Sequence, residues 1–274
     1  MDFGHEIHNR KPFQSSVFIQ PFTTYPPTSS PNTLSGTIIR NELHAEPAHT
    51  QMQNKTGNAM NTKALWIVGY RDFGFEVAEI AEDSGYEVVG FIDYNPNENR
   101  TDTRDAKSVP IENLDSQTSG YFLCAMTSTV KRRQLVEQIS QLTCDSLTPI
   151  SIQHPSAVIS KAAELANGTL IMPGVVIASG ANLDAFTLVN RGATIGHHTS
   201  LGAFSTVGPG VNIGGNCEIG ENVYFGIGST VINRVKIGSN SLIGAGAVVV
   251  NDIPSNCVVK GVPAKISQDQ FPGH

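Results

Sequence analysis

The sequence predicts an α/β domain followed by a β-solenoid, and three observations carry that reading. From Ile159 to Val249 a large apolar residue returns every sixth place: Ile171, Ile177, Leu183, Val189, Ile195, Leu201, Val207 and onward without a break. Four places after each stands a small residue or a valine, such as Ala181, Thr187, Ala193, Thr199 and Ser205. Ahead of the repeat, short apolar runs alternate with segments of helical spacing.

A period of six matches neither a lone amphipathic helix nor an alternating strand. It suits a coil of short strands joined by tight corners, a hexapeptide β-helix. The large aliphatic side chain fills the prism and the small one fits inside the corner. Glycine, frequent directly after the large residue as at Gly196, Gly202 and Gly208, allows backbone conformations that a side chain disfavours. One hexad cannot bury its apolar face alone, so hexads must stack, at about 18 residues per three-sided turn.

Taken in order, residues 1–61 are rich in Ser, Thr, Pro, Asn and Gln, with a run Thr23-Thr-Tyr-Pro-Pro-Thr-Ser-Ser-Pro-Asn32. Such composition has little to bury, so this leader is expected to be disordered. Met60 is a candidate translation start, which detection of a native peptide from before it excludes. Residues 62–150 form the predicted α/β domain. Ala64-Leu-Trp-Ile-Val68 reads as a buried parallel strand and Gly69-Tyr-Arg-Asp-Phe-Gly74 as a turn. A helix carrying Val77, Ile80 and Ala81 follows; Asp72 is placed to cap it and Gly85 to end it. Glu87-Val-Val-Gly-Phe-Ile-Asp93 is a second strand ending in an acid, completing a Rossmann-like βαβ unit. Tyr121–Met126 is a third strand, Leu135, Val136 and Ile139 mark a second helix, and Ser146–Ile150 a last strand. The solenoid occupies 151–266 and a polar tail 267–274.

A glycine turn leading into a helix can hold phosphate through backbone N–H groups, and an acid ending the second strand can accept from a ribose or base. Gly69 and Asp93 are the candidates, although Gly69…Gly74 lacks the full dinucleotide fingerprint. The bland alternative is that Gly69 only permits the turn and Asp93 only caps a loop.

Composition excludes several classes. The chain has 274 residues and a net charge of −6, so no general attraction to nucleic acid or to acidic membrane is expected. Its four cysteines form no C-x-x-C pair, so neither a zinc knuckle nor a disulfide framework is signalled. No apolar run reaches the length of a membrane span, and no basic start precedes an apolar stretch. A cytoplasmic protein is the expectation.

Of eight histidines, His197 and His198 lie in the repeat. In Ile195-Gly-His-His-Thr-Ser200 the inward places are Ile195 and Thr199, so both imidazoles project outward. An imidazole with a pKa near about 6.5 is the usual neutral-pH base. Acyl transfer from a thioester needs such a base. Adjacent histidines without a third ligand make a poor zinc site, so no metal is expected; two solvated histidines are the bland alternative.

The hexads, the closing Gly261-Val-Pro-Ala-Lys265, His154-Pro-Ser-Ala157 and the preceding α/β domain together resemble the sugar acetyltransferases of the sialic acid O-acetyltransferase and bacillosamine N-acetyltransferase type. The resemblance covers about Lys63 to Lys265. It implies a left-handed parallel β-helix, a homotrimer, acetyl-CoA lying between neighbouring β-helices, and a small domain holding a sugar or nucleotide-sugar for a bacterial surface glycan such as lipopolysaccharide or capsule. It implies His197 as the catalytic base, with His198 and Asn190 in support. Ile227, Ala245 and Thr206 fall at acetyl-CoA-contacting places, and Gly69 and Asp93 on the nucleotide-sugar side.

The chain departs from that pattern. His198 stands where bacillosamine enzymes carry Glu, and Thr206 where many members carry a second histidine. Phe73 replaces a histidine in the first turn, and Thr127-Ser-Thr129 replaces Gly-Asn-Asn after the third strand. Two other readings remain open on the residues: a NAD-dependent oxidoreductase working through the small domain, and a non-catalytic β-helix scaffold.

Overall fold

The computed structural model describes residues 64–69, 72–94, 107–144 and 146–267. The leader, the Met60 start and all of the tail but Ser267 lie outside the described residues.

The α/β part contains β1 (Leu65–Val68), α1 (Asp72–Asp83), β2 (Val88–Asp93), β3 (Ser108–Pro110), β4 (Gly120–Cys124), α2 (Thr129–Thr143) and β5 (Leu147–Pro149). The strands form one parallel sheet in the order β3-β2-β1-β4-β5. Its centre, β1, is buried along its whole length, as a strand covered on both faces must be. Gly85, at φ +86°, ends the α1 turn as expected. Ser128 caps α2, its Oγ accepting from the Lys131 N–H at 3.2 Å.

The sequence reading missed β3. It is three residues long, half-buried and ends in a proline, which an edge strand tolerates because one side of its ladder has no partner.

From Ile152 the chain winds into a left-handed parallel β-helix of two-residue strands. Ile177 pairs with Ile195 and Ile195 with Ile213, so each coil advances by one three-hexad turn. The six-residue register is the interior: Ile177, Leu183, Val189, Ile195, Leu201, Val207 and Phe225 are buried in one core. Corner residues adopt positive φ. Glycine does so at Gly180 and Gly210, and asparagine at Asn216, Asn222 and Asn240. Phe186, His198, Phe204 and Arg234 do so as well, at the steric cost that Cβ brings.

The three faces of the prism differ in what points outward. The first carries Leu170, Leu188 and Thr206, which are buried; Leu170 and Leu188 join the core beneath β1 and α1. The second carries Val158, Val176, Thr194, Asn212, Thr230 and Val248, none of them charged. The third carries Glu164, Glu218 and Lys236, the last two paired at 2.9 Å.

Arg132 joins the two parts. It lies on the buried face of α2, one turn from Leu135, and is 2% exposed. Its guanidinium donates to the carbonyls of Phe186 (2.9 Å), Phe204 (2.7 Å) and Ser205 (3.0 Å), and to that of Met126. It also donates twice to Thr206 Oγ1. The rings of Phe186 and Phe204 stack at 5.1 Å, with the Arg133 guanidinium 4.4 Å over Phe204.

Candidate active site

Gly69 and Asp93 come together at the carboxyl edge of the sheet. The Gly69 N–H donates to Ile92 O at 2.9 Å, one residue before Asp93. Gly69 has φ +118°, and a Cβ there would lie 2.9 Å from Ala125 O. A Cβ on Gly74 would sit 1.9 Å from Gly69 O, so both glycines serve close backbone approach. Asp93 is buried. The strand order reverses between β1 and β4, and ligands of open α/β sheets bind outside the carboxyl ends at such a point. Thr127 and Ser128, which follow β4, lie on that edge.

Thr127 and Ser128 also form one wall of a 370 Å³ cleft whose other wall is the β-helix, with Tyr224, Ile227, Leu242 and Ala245. Ile227 and Ala245 are equivalent corner residues on successive coils, and Ile227 is 63% exposed. These two expected acetyl-CoA contacts are therefore brought together.

Thr206 is not. It is 1% exposed, and its hydroxyl accepts from both terminal nitrogens of Arg132 at 3.0 Å while donating to Thr127 O at 2.9 Å. It pins the cleft wall from behind instead of lining the cleft. Asn190 is also buried; its Oδ1 accepts from the Arg191 N–H at 2.8 Å. Arg191 in turn pairs with Glu76 of α1 at 3.0 Å.

His197 and His198 occupy a different edge of the prism, and both are exposed. Their Nδ1 atoms are 3.1 Å apart and their rings meet edge to face. Each ring lies over a glycine of an adjacent coil. A Cβ on Gly215 would be 2.6 Å from His197 Nε2, and one on Gly180 would be 2.8 Å from His198 Cδ2. The corner holding Ile227 and Ala245 and the corner holding His197 bound opposite edges of the uncharged face. Six residues separate equivalent corners, roughly 20 Å at full extension. A single chain does not bring the imidazole to the cleft.

Arg132, Arg191 and Tyr224 escaped the sequence reading. Arg132 left a signal: Arg132, Leu135, Ile139 and Thr143 share the buried face of α2, and a charged residue there marks an anchored guanidinium. Tyr224 left none beyond its outward place in a hexad. Among the described residues, no group of three His, Cys, Asp or Glu side chains could hold a metal ion. No described helix is long and apolar enough to cross a membrane.

Comparisons with known proteins agree with this architecture. The family model for the PglD N-terminal domain matches residues 64–139, and that for the bacterial transferase hexapeptide (six repeats) matches 216–251. No curated protein sequence matches the chain significantly. Among solved structures, PerB from Caulobacter crescentus in complex with CoA and GDP-perosamine is similar at 28% identity. That match covers 74% of this chain and 97% of PerB, with a TM-score of 0.67. The acetyltransferase domain of PglB from Neisseria gonorrhoeae, in complex with acetyl coenzyme A, is similar at 27% identity over 75% of this chain and all of that one (100%), with a TM-score of 0.65. WeeI from Acinetobacter baumannii shares the fold at 24% identity, over 74% of this chain and 99% of its own, with a TM-score of 0.64. The chain is thus a PglD-type α/β domain joined to a hexapeptide-repeat β-helix, the architecture of the sugar acetyltransferases it resembles.

Proposed function

We propose that the protein is an acetyl-CoA-dependent acetyltransferase acting on a sugar, nucleotide-linked and amine-bearing, in the making of a bacterial surface glycan. The observation that carries this reading is the pairing of an outward imidazole at one edge of the β-helix with a cleft holding Ile227 and Ala245 at the other. PerB, the perosamine N-acetyltransferase bound to CoA and GDP-perosamine, supports an amino-sugar nucleotide as acceptor. The carboxyl edge at Gly69 and Asp93 is the place for the nucleotide, and dependence on acetyl-CoA makes the cytoplasm the compartment.

In this reading the acceptor amine attacks the thioester carbonyl and a C–N bond forms. His197 Nε2 takes the amine proton as the tetrahedral oxyanion develops. The C–S bond then breaks, and the departing thiolate takes the proton from His197.

The separation of His197 from the cleft supports a homotrimer. A cyclic assembly sets one edge of each copy against the other edge of its neighbour, and such heterologous contacts close into a ring. The uncharged face lies between those two edges. Val158 on it is 65% exposed and Val176 is 42% exposed, a surface that burial between copies stabilises.

Turnover tests the chemistry. Released thiol is followed with acetyl-CoA and a panel of nucleotide-linked 4-amino sugars, and His197→Ala is expected to lose about 10²–10⁴-fold. Full activity in a folded H197A protein rejects the base. Sedimentation that reports only monomer rejects the shared site.

A further inference from the structure

We infer that His198 is the positioning residue for His197, working as a neutral hydrogen-bond acceptor; this rests on the acetyltransferase reading above. Two imidazole nitrogens 3.1 Å apart share a hydrogen bond only if one carries a proton and the other does not. His197 can act as a base through Nε2 only when its own proton sits on Nδ1. Its Nδ1–H then donates to Nδ1 of His198, and His198 carries its proton on Nε2.

The backbone builds this contact. His198 adopts the left-handed conformation at φ +56°, one that histidine enters more readily than most residues. The glycines at 215 and 180 leave room for one ring on the following coil and for the other on the preceding coil.

The surroundings leave His198 as the orienting group within the chain. The adjacent coils present Ser179 and Gly180 on one side and Gly215 and Asn216 on the other. Lys161 and Arg234 share this corner two coils away in either direction, roughly 10 Å at the spacing of neighbouring strands. On the flanking faces stand Thr194, whose hydroxyl donates to Asn212, and Ser200, whose neighbour Glu218 is held by Lys236. Among the described residues no carboxylate lies on the coils next to the imidazole pair at this corner.

The chemical consequence differs from that of a His–Glu pair. As the acceptor proton reaches His197 Nε2, the ring becomes cationic and its Nδ1–H bond to neutral His198 becomes charge-assisted. The pair holds one extra proton well. A second would set two cations 3.1 Å apart and remove the acceptor. Transfer therefore requires both rings neutral at the outset.

The test has one arm that needs no acceptor. Nitrogen-15 shifts of labelled histidines in the full chain, assigned with H197A and H198A, report which ring nitrogen carries hydrogen. In the wild type His197 is expected as the Nδ1–H form and His198 as the Nε2–H form, and in H198A His197 moves toward Nε2–H. In turnover, H198A is expected to lose about 10–100-fold in kcat, the usual scale for an orienting partner, with the KM for acetyl-CoA unchanged. H198E restores the rate with the acid limb of the pH profile moved upward, because a carboxylate favours the cationic ring. An unchanged His197 tautomer in H198A overturns the inference. So does full H198A activity beside an inactive H197A, which leaves the acetyltransferase reading intact. Absence of transfer by the wild type counts against that reading alone, and the tautomer measurement still decides the histidine pair.

Discussion

Arg132 reaches Thr206 Oγ1 with both terminal nitrogens at 3.0 Å, and the same hydroxyl donates to Thr127 O. A buried guanidinium is thus held by a threonine and by carbonyls of the β-helix corner, and that grip sets the wall of the cleft. Residues 74 apart in sequence make the bond. Thr206, expected from the resemblance to contact acetyl-CoA, is here an anchor.

Removing the anchor takes the guanidinium donors from the carbonyls of Phe186, Phe204 and Ser205, of which Ser205 O keeps the Leu188 N–H. Arg132→Ala is expected to cost more than about 2 kcal/mol in chemical denaturation, because buried acceptors left unsatisfied cost about 1–3 kcal/mol each. Thr206→Val keeps the shape and removes the hydroxyl. Its expected cost is smaller, about 1–3 kcal/mol, because guanidinium donors lose one acceptor. A Thr206→Val protein as stable as the wild type would show that the carbonyls alone suffice.

Gly215 offers a clean probe of the imidazole. A methyl group at that position meets the His197 ring at 2.6 Å from Nε2 and nothing else nearer. Gly215→Ala is therefore expected to displace His197 and reduce kcat by at least about 10-fold, while changing the melting temperature little. Gly192→Ala sets an upper bound on general coil disturbance, since its added Cβ meets nothing within 4 Å but its φ of +66° brings a backbone strain that Gly215 does not carry. Equal activity losses in the two variants would exclude a specific effect on His197.

Burial pushes the Cys124 thiol up to about 12, against the opposing pull of the Arg132 charge. The folded state keeps this proton where the unfolded chain, near 9.0, loses it. Its contribution to stability is thus complete below pH 9 and is lost progressively above it. Burial pushes Arg132 down to about 10, which acts with the opposite sign from about pH 10 upward. The net alkaline loss falls between about pH 9 and 10, and Cys124→Ala is expected to flatten it in urea titrations at each pH. Ellman's reagent at pH 8 should label exposed Cys144 first and leave buried Cys124 and Cys217 untouched until unfolding. Early labelling of Cys124 would contradict the packing of β4 against α2.

Much of this architecture was legible in the residues. The hexads declared the prism because inward places recur by local geometry alone: Ile195 and Thr199 point inward whatever the rest of the chain does. Gly69 and Gly74 declared the turn because glycine is required where backbones approach closely. That Ile227 and Ala245 are equivalent corners on successive coils follows from the same register, whereas their expected acetyl-CoA contact came from the resemblance.

Other features needed the fold. Thr206 has an outward place in its hexad and reads as a surface hydroxyl until α2 lands on it and brings Arg132. The edge strand β3 is too short and too half-buried for a periodic pattern to show. By itself, the sequence determined a stacked prism with an outward histidine pair and an α/β domain before it, because periodicity encodes which way each side chain faces. Only the tertiary structure decided which face the domain covers, that Thr206 serves an arginine, and that His197 and the cleft lie on opposite edges of one face. Those facts depend on contacts between distant segments, and no local pattern of apolar and small residues carries them.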